Sequence, residues 1–308
     1  MTRAAVIEEV TWRTDELEVT ALPSLGCRLH RVRAFGVDLL RTPATPQQHA
    51  EEPFFWGAYV MAPWTNRADP GPTTIAGRRV DLLPNFPDGT AIHGLVAERA
   101  WERTDEMRFR IEVAPDRWPW PHEVTATVGL DGPRLRLAYR LTNLADGPMP
   151  GGIGLHPWFR RPVEIALSAR SVHPDNGARH AAHVPPSDRY ALDGSPLPDG
   201  LDATWLDVEP PRVAMRWPEL GLGARMTLDA GGMPIHVAVA SPSEPQAVAI
   251  EPVTHRPWAL RHLAEGEPHG MRLLGPGEAQ ELTITLEFSH DDRARTHLAA
   301  EDRVWLDR

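Results

Sequence analysis

The chain contains no lysine, one cysteine and no long apolar run. Its 32 basic residues are therefore all arginine, and 42 acidic residues bring the net charge to −10. The lone cysteine, Cys27, excludes an intramolecular disulfide framework and a metal site built from cysteines. An acidic chain lacks the basic surface typical of nucleic-acid binding. No segment approaches the ~18 apolar residues of a membrane-spanning helix. We therefore expect neither a nucleic-acid partner nor a membrane span.

The opening residues also lack the apolar stretch of a signal peptide, since Met1 to Glu9 carry three charged side chains. We therefore expect a cytoplasmic location. With 308 residues, 42% of them hydrophobic, the chain can bury a sizeable core. Glycine and proline together make up about 18%, below the ~25–30% typical of disordered chains. The composition predicts a globular protein rich in turns.

Alternating apolar residues predict strands. The clearest pair is His122 to Leu130 and Arg134 to Asn143, joined by Asp131-Gly132, a dipeptide that favours a tight hairpin turn. Residues 282–288 alternate in the same way. Further candidate strands cover shorter stretches: 17–21, 28–32, 78–82, 108–113, 225–228 and 235–240. Many short strands without interleaved helices favour a β-sandwich or barrel over a βαβ architecture.

Two segments do not fit the strand pattern. Residues 174–200 are rich in Pro, Gly, Asp and His and predict a long loop, and long loops in compact domains are often functional. Residues 291–308 are charged and predict a helical or peripheral tail. No repeat or linker divides the chain, so we expect one domain over residues 1–308.

Common cofactor and nucleophile motifs are absent. Gly152-Ile153-Gly154 begins like a dinucleotide fingerprint but lacks the third glycine and a following helix pattern. The chain has no Walker loop, no His-Glu-x-x-His and no Gly-x-Ser-x-Gly. His173, His180 and His183 could form a metal cluster, but a solvated loop is the favoured interpretation because no further ligand pattern completes a site. We therefore expect no cofactor and no metal.

Four short segments place one polar side chain beside Gly or Pro at the edge of an apolar run, where a strand can present it at a cleft. They are Ala62 to Arg67, Ala91 to Leu95, Gly154 to Phe159 and Ala249 to Pro252. Each has an ordinary explanation when taken alone: a turn histidine, a surface carboxylate, or a weak Arg67–Asp69 ion pair.

Taken together and in this order, the segments resemble the aldose 1-epimerase (galactose mutarotase) family. The resemblance rests on an Asn66-Arg67 motif, a His93-Gly94 motif 26 residues later, and a His-Pro-aromatic-Phe motif at His156. A loop aspartate is expected next and falls at Asp202, a Glu-Pro pair follows at Glu251, and the resemblance covers roughly residues 15–290. Asp199 and Asp207 compete with Asp202 for the aspartate position.

The resemblance implies a large antiparallel β-sandwich and an enzyme that interconverts the α and β anomers of a free aldohexose. Ring opening needs a base at the anomeric hydroxyl and an acid at the ring oxygen, which then exchange roles. By resemblance Glu251 is the base and His156 the acid. Residues implied in sugar binding are Asn66, Arg67, His93, Asp202 and Trp158. Trp64 and Trp258 could also supply an apolar face, although core packing is the better interpretation for most tryptophans.

Two other functions stay open. A carbohydrate-binding module without catalysis would suit a Trp-rich sandwich. A 1-epimerase of an anionic sugar, such as a hexose 6-phosphate or a sulfonated sugar, would suit Arg160 and Arg161, which stand where many family members carry Asn-Leu. Alternation along a strand predicts that Arg160 faces the same cleft as His156. With one inward arginine and no lysine nearby, we expect a neutral aldohexose. The sequence leaves open whether the chain forms a homodimer.

Overall fold

The computed structural model describes residues 7–244 and 246–290, and these residues are mainly strands. In chain order the strands are β1 (Val10–Arg13), β2 (Leu17–Leu22), β3 (Arg28–Ala34), β4 (Val37–Asp38), β5 (Ala58–Met61), β6 (Arg67–Ala68), β7 (Gly71–Ile75), β8 (Arg78–Leu82), β9 (Ala91–Ile92), β10 (Glu102–Asp105), β11 (Arg108–Val113), β12 (His122–Asp131), β13 (Arg134–Asn143), β14 (Met149–Gly151), β15 (Gly154–Arg160), β16 (Glu164–Ala166), β17 (Ala169–His173), β18 (Asp193–Pro196), β19 (Leu201–Val208), β20 (Arg212–Trp217), β21 (Leu222–Asp229), β22 (His236–Ser241), β23 (Ala247–Val253), β24 (Arg272–Leu274) and β25 (Ala279–His290). The helices are α1 (Gln48–Glu51) and α2 (Ala259–Glu265), with 3₁₀ turns at Asp188–Tyr190 and Pro218–Leu220.

Two large sheets carry the architecture. The first runs in the order β1-β2-β3-β5-β15-β23-β22-β19-β17, with β4 added beside β3. The second runs in the order β10-β11-β12-β13-β25-β21-β20-β16-β18. Neighbouring strands in both sheets pair antiparallel. Three two-stranded sheets complete the described fold: β14-β24, β6-β9 and β7-β8. The predicted all-β antiparallel sandwich is confirmed.

The hairpin β12-β13 shows how the sequence specifies these sheets. Asp131 pairs with Arg134, and Gly132 between them has φ +52°, a conformation that glycine adopts without a side-chain clash. Leu135, Leu137 and the other alternate residues of β13 are buried, while the arginines between them point outward. The strands predicted in the sequence are all present, with bounds shifted by a few residues at most.

A continuous apolar core fills the space between the two sheets. Along β23, Val248 and Ile250 belong to this core, together with Leu137 and Ile284 from the second sheet. Side chains alternate along a strand, so Ala249 and Glu251 lie on the opposite face of the first sheet. That outer face is covered by a separate apolar cluster, which includes Phe54, Tyr59, Met61, Ile92 and Val253. The candidate site lies on this face.

The segment 174–200 differs from the predicted loop. It contains the 3₁₀ turn at Asp188–Tyr190 and the strand β18, which pairs with β16 at the edge of the second sheet. A four-residue strand starting at Asp193-Gly194 carries no apolar alternation, so the pattern could not indicate it. The predicted helical tail, residues 291–308, lies outside the described residues. No helix in the described part of the chain is long and apolar enough to cross a bilayer.

Candidate active site

His156 and Glu251 lie on adjacent central strands of the first sheet. In the β15–β23 ladder, Gly154 pairs with Val253 and Trp158 with Ala249. His156 and Glu251 are midway between these pairs on their strands, so they occupy directly opposed positions. Opposed residues project from the same face of a sheet. The distance between His156 Nε2 and Glu251 Oε1 is 3.3 Å.

Both side chains are almost completely buried, and burial disfavours their charged forms. It raises the pKa of Glu251 well above the ordinary carboxyl range; the charge of Asp202 adds to this effect and that of Arg67 opposes it. Burial lowers the pKa of His156 to about 3. Glu251 is thus a stronger base than an ordinary carboxylate, and a protonated His156 is a stronger acid than an ordinary imidazolium.

Aromatic rings hold the imidazole of His156 in place. The Tyr59 ring stacks on it at 4.6 Å between centroids, with the planes 21° apart. The His93 ring meets it edge-on at 5.0 Å, and the Trp158 ring lies 5.2 Å away. His156 Nδ1 has no hydrogen-bond partner outside its own residue in the described part of the chain. The ring therefore has few alternative positions.

The segments of Arg67 and His93 form a small structural unit beside the pair. Arg67 pairs with Ile92 in the two-stranded sheet β6-β9, and the His93 N–H donates to the Asn66 carbonyl at 3.1 Å. Gly94 explains the His-Gly motif: it has φ +77°, and a Cβ there would lie 2.0 Å from the Ala62 carbonyl oxygen. His93 itself has φ +60°, an uncommon conformation for a residue with a side chain.

Arg67 connects two carboxylates. Its Nε donates to Asp88 Oδ2 at 2.8 Å, and its Nη1 lies 3.4 Å from Asp202 Oδ2. Asp88 is fixed in turn by Thr90, whose N–H and hydroxyl both donate to Asp88 Oδ1. The alternative ion pair with Asp69 is wrong, because Asp69 binds Arg179 and Arg261 instead.

Among the three candidate aspartates, Asp202 is the one beside Arg67. It lies on β19, and Asn176 donates to its Oδ1 at 2.8 Å. Asp199 binds Arg161, and Asp207 lies near His236 and Arg256. Asp202 is also strand-borne rather than a loop residue, since it pairs with Ala240 of β22.

The side chains of the other residues considered for sugar binding, Asn66, Trp158 and Trp64, contact other parts of the protein. The Asn66 side chain turns back to its own backbone and accepts from the Arg67 N–H at 2.8 Å. Trp158 is 4% exposed, and its Nε1 donates to the Phe54 carbonyl at 2.7 Å. Trp64 lies in the core between the sheets, 5.4 Å from the Trp118 ring, so it offers no face to a sugar.

Arg160 is the last residue of β15, and Arg161 follows it. Arg160 is on the same face as His156, but four residues of strand separate them by ~13 Å. Its Nη1 donates to the Asp38 carbonyl, and its side chain is exposed. Arg161 is held by Asp199 at 2.5 Å and by the Leu197 and Pro242 carbonyls. Arg160 thus shares the face of His156, as alternation predicted, but its guanidinium binds the Asp38 carbonyl away from the Glu251–His156 pair.

Sequence reasoning missed three residues of this arrangement: Tyr59, Asp88 and Asn176. Tyr59 sits in a short buried strand with no motif around it, and only the register β5–β15 places it beside His156. Asp88-Gly89 gave a turn signal that could have indicated Asp88. Asn176 lies in the segment predicted to be functional, but nothing in the sequence singled out its side chain.

The site offers a base and an acid at hydrogen-bond distance, with further donors and acceptors beside them. His93 Nδ1 is buried and lacks a partner among the described residues. Asp202 is half-exposed and Arg67 is near it, so both can reach a ligand at the mouth of the site. Such a set can move protons on a polyhydroxylated substrate without a covalent intermediate.

Comparison with known proteins points in the same direction. Residues 8–178, more than half of the chain, match the aldose 1-epimerase family. Comparison with curated protein sequences gives no match.

Solved structures give a similarity of fold. A galactose mutarotase-like protein from Clostridium acetobutylicum has a TM-score of 0.77 at 14% identity, covering 92% of this chain and 98% of that one. A protein of Escherichia coli K12 assigned provisionally as an aldose 1-epimerase has a TM-score of 0.76 at 17% identity, covering 92% of this chain and 100% of that one. Galactose 1-epimerase from Lactobacillus acidophilus has a TM-score of 0.68 at 15% identity, covering 92% of this chain and 94% of that one.

Proposed function

The chain belongs to the aldose 1-epimerase family, and from this premise we propose that it interconverts the α and β anomers of a free, neutral aldohexose. The observation that carries the proposal is the buried pair of Glu251 and His156, 3.3 Å apart on neighbouring strands. The family match ends at residue 178, so His156 lies inside it and Glu251 outside. The register of β15 and β23 places Glu251, which lies outside the family match, opposite His156, which lies inside it.

The proposed reaction opens and closes the sugar ring by two proton transfers. Glu251 takes the proton of the anomeric hydroxyl while His156 donates a proton to the ring oxygen, and the bond between C1 and that oxygen breaks. The aldehyde then rotates about the C1–C2 bond. On closure Glu251 returns its proton to the aldehyde oxygen and His156 recovers the proton of the attacking hydroxyl, so protons and electrons balance.

The environment of the pair suits this exchange. One proton passes from His156 to Glu251 by way of the sugar, and it returns on closure. Because burial raises the pKa of Glu251 and lowers that of His156, the carboxylic acid and neutral imidazole match the open-chain intermediate. The pair carries the same number of protons before and after ring opening, so the cycle needs no net exchange of protons with solvent.

The residues around the pair would orient the sugar. His93 Nδ1, the Arg67 guanidinium and the Asp202 carboxylate offer donors and acceptors to ring hydroxyls. Two carboxylates already flank Arg67, so its positive charge is compensated within the protein. Arg161 is likewise held by Asp199. These pairings support a neutral substrate over a phosphorylated or sulfonated one.

The direct test is anomer equilibration. Freshly dissolved α-D-glucose and α-D-galactose are followed by polarimetry and by one-dimensional NMR, with and without enzyme. We expect equilibration much faster than the spontaneous rate for at least one neutral aldohexose. Sugar binding measured by calorimetry without such acceleration would indicate a carbohydrate-binding module and contradict the proposal.

A further inference from the structure

Four metal-ligating side chains meet at the surface beside α2, apart from the Glu251–His156 pair. They are His180, His262, Glu265 and Glu267, and one ligand atom of each lies within 4.8 Å of the others. We propose that this cluster binds a divalent transition-metal ion, with Zn²⁺ as the best chemical match. The sequence grouped His180 with His173 and His183, but in the structure those two rings contact each other while His180 lies against His262.

Three of the four ligands are arranged by α2 and the turn that ends it. His262 and Glu265 are three residues apart and therefore lie on one face of the helix. Gly266 ends the helix with φ +73°, and the next N–H, that of Glu267, donates to the His262 carbonyl at 2.8 Å. This turn brings Glu267 Oε2 to 2.9 Å from His262 Nδ1. Backbone geometry has thus already assembled these three ligands.

His180 comes from the distant segment 174–200 and supplies the fourth ligand. Its Nε2 lies 3.8 Å from Glu265 Oε2, and its Nδ1 lies 4.0 Å from Glu267 Oε2. Tetrahedral Zn²⁺ with ligands at ~2.0–2.2 Å requires ligand atoms ~3.3 Å apart. Only one of the two nitrogens can bind the ion, and the four ligand atoms lie within 4.8 Å of one another. The His180 side chain is 53% exposed and can rotate to shorten its distances to the other ligands.

Charge and donor type favour the same ion. Two carboxylates and two imidazoles form a nitrogen and oxygen donor set, which suits Zn²⁺, whereas Mg²⁺ and Ca²⁺ prefer oxygen ligands. Arg261 binds Glu265 Oε1 at 2.8 Å, and Glu265 Oε2 remains beside His180. When the imidazoles are neutral, the two carboxylates compensate the charge of a divalent ion.

Four protein ligands leave no open position for substrate, so the ion would act as a clip rather than a catalyst. It would fasten segment 174–200 to α2. That segment also carries Asn176, which holds Asp202, and Arg179, which binds Asp69 two residues after Arg67. The metal would therefore stabilise the border of the candidate active site without taking part in proton transfer.

The test measures metal binding and thermal stability on the full chain. After EDTA treatment and desalting, ZnCl₂ is titrated by calorimetry, and unfolding is followed with and without ~100 µM ZnCl₂. For a dissociation constant near 1 µM, we expect one ion per chain and a Tm rise of about 4 °C. Co²⁺ in place of Zn²⁺ should give the strong visible absorption of a four-coordinate site.

His180→Ala and Glu267→Gln should each remove the Tm rise and the Co²⁺ absorption. His183→Ala is the matched control, because His183 is an exposed histidine of the same segment outside the cluster, and it should leave both signals unchanged. Mutarotase activity should survive EDTA. Absence of stoichiometric Zn²⁺ binding, or equal binding by His180→Ala, would overturn the proposal, whatever the outcome for ring opening.

Discussion

Glu251 lies opposite His156 where the ladder between two central strands is interrupted. Each residue is followed by a proline, Pro157 or Pro252, and a proline has no N–H to donate across the sheet. Paired residues resume at Gly154 with Val253 and at Trp158 with Ala249. The sheet thus keeps its register on both sides of the break, and this register fixes the spacing of the two side chains.

Removing either member of the pair should abolish most of the activity. We expect Glu251→Gln and His156→Asn each to lower kcat for mutarotation by at least ~10²-fold, since positioned acids and bases contribute about 10²–10⁴-fold. The measurement is polarimetry corrected for the spontaneous rate. Circular dichroism and Tm serve as the folding control, and a folded Glu251→Gln variant with near-normal kcat would exclude Glu251 as the base.

Substitutions among the surrounding polar residues should act mainly on binding. Arg67→Ala and His93→Ala should raise KM by at least the factor by which they lower kcat, because these groups would contact the sugar in both ground and transition states. Arg79→Ala is a control at an exposed arginine outside the site. A large loss of kcat with unchanged KM would instead assign Arg67 or His93 to the proton transfers.

The pH dependence of kcat/KM should differ from that of an ordinary histidine enzyme. The active pair carries one proton in total, so activity is lost when the pair gains a second proton at low pH or loses its single proton at high pH. Burial lowers the pKa of His156 to about 3 and raises that of Glu251, so no acid limb should occur near 6.5. Rates between pH ~5 and ~8, corrected for buffer catalysis, test this. A loss of activity as the pH is lowered through 6.5 would contradict it.

The charge of the substrate can be tested directly. We expect kcat/KM for glucose to exceed that for glucose 6-phosphate, because the guanidinium of Arg67 is already paired with Asp88 and Asp202. Arg160→Ala should change neither value by more than about twofold, since its backbone lies ~13 Å along the strand from that of His156 and its guanidinium donates to the Asp38 carbonyl. A tenfold preference for the phosphate that Arg160→Ala abolishes would support an anionic substrate.

Gly94 should be intolerant of a side chain for a reason beyond its backbone conformation. In Gly94→Ala the new Cβ would lie 2.0 Å from the Ala62 carbonyl oxygen, so the His93 segment must move. Gly89→Ala is the matched control, because Gly89 has φ +82° and a Cβ added there would have no neighbouring atom within 4 Å. We expect Gly94→Ala to lower the free energy of unfolding by at least ~2 kcal/mol more than Gly89→Ala in denaturant melts. Equal losses would mean that the backbone accommodates the contact.

Local sequence patterns predicted the strands because alternate residues of a strand point to the same face of the sheet, and a buried face makes those residues apolar. Alternation of apolar residues alone predicted the hairpin β12-β13 and strand β25, but it could not predict the polar strand β18. Single-domain organisation and a cytoplasmic location stay predictions.

Residues of the candidate site could be predicted only where they stood in a sequence motif. Arg67, His93 and His156 each stood in a motif, and Asp202 was one of three candidates for the aspartate position. Asp88 and Asn176 act through contacts with residues that are distant in sequence, and no local pattern encodes such contacts. Alternation predicted the face of Arg160 but could not indicate that its guanidinium binds the Asp38 carbonyl, because alternation contains no information on distance from the site.

The mixed origin of the site has a consequence for engineering. Glu251 and His156 lie on central strands of the first sheet, one face of which packs on the continuous core. Arg67 and His93 come from the two-stranded sheet β6-β9 and its end, and Asn176 comes from segment 174–200; we call these the peripheral units. Transplanting those peripheral units between related proteins should therefore alter which sugar is accepted while the ring-opening chemistry is retained. If the proposed roles are correct, the residues that move protons and those that select the sugar belong to different structural units, and each set can be changed separately.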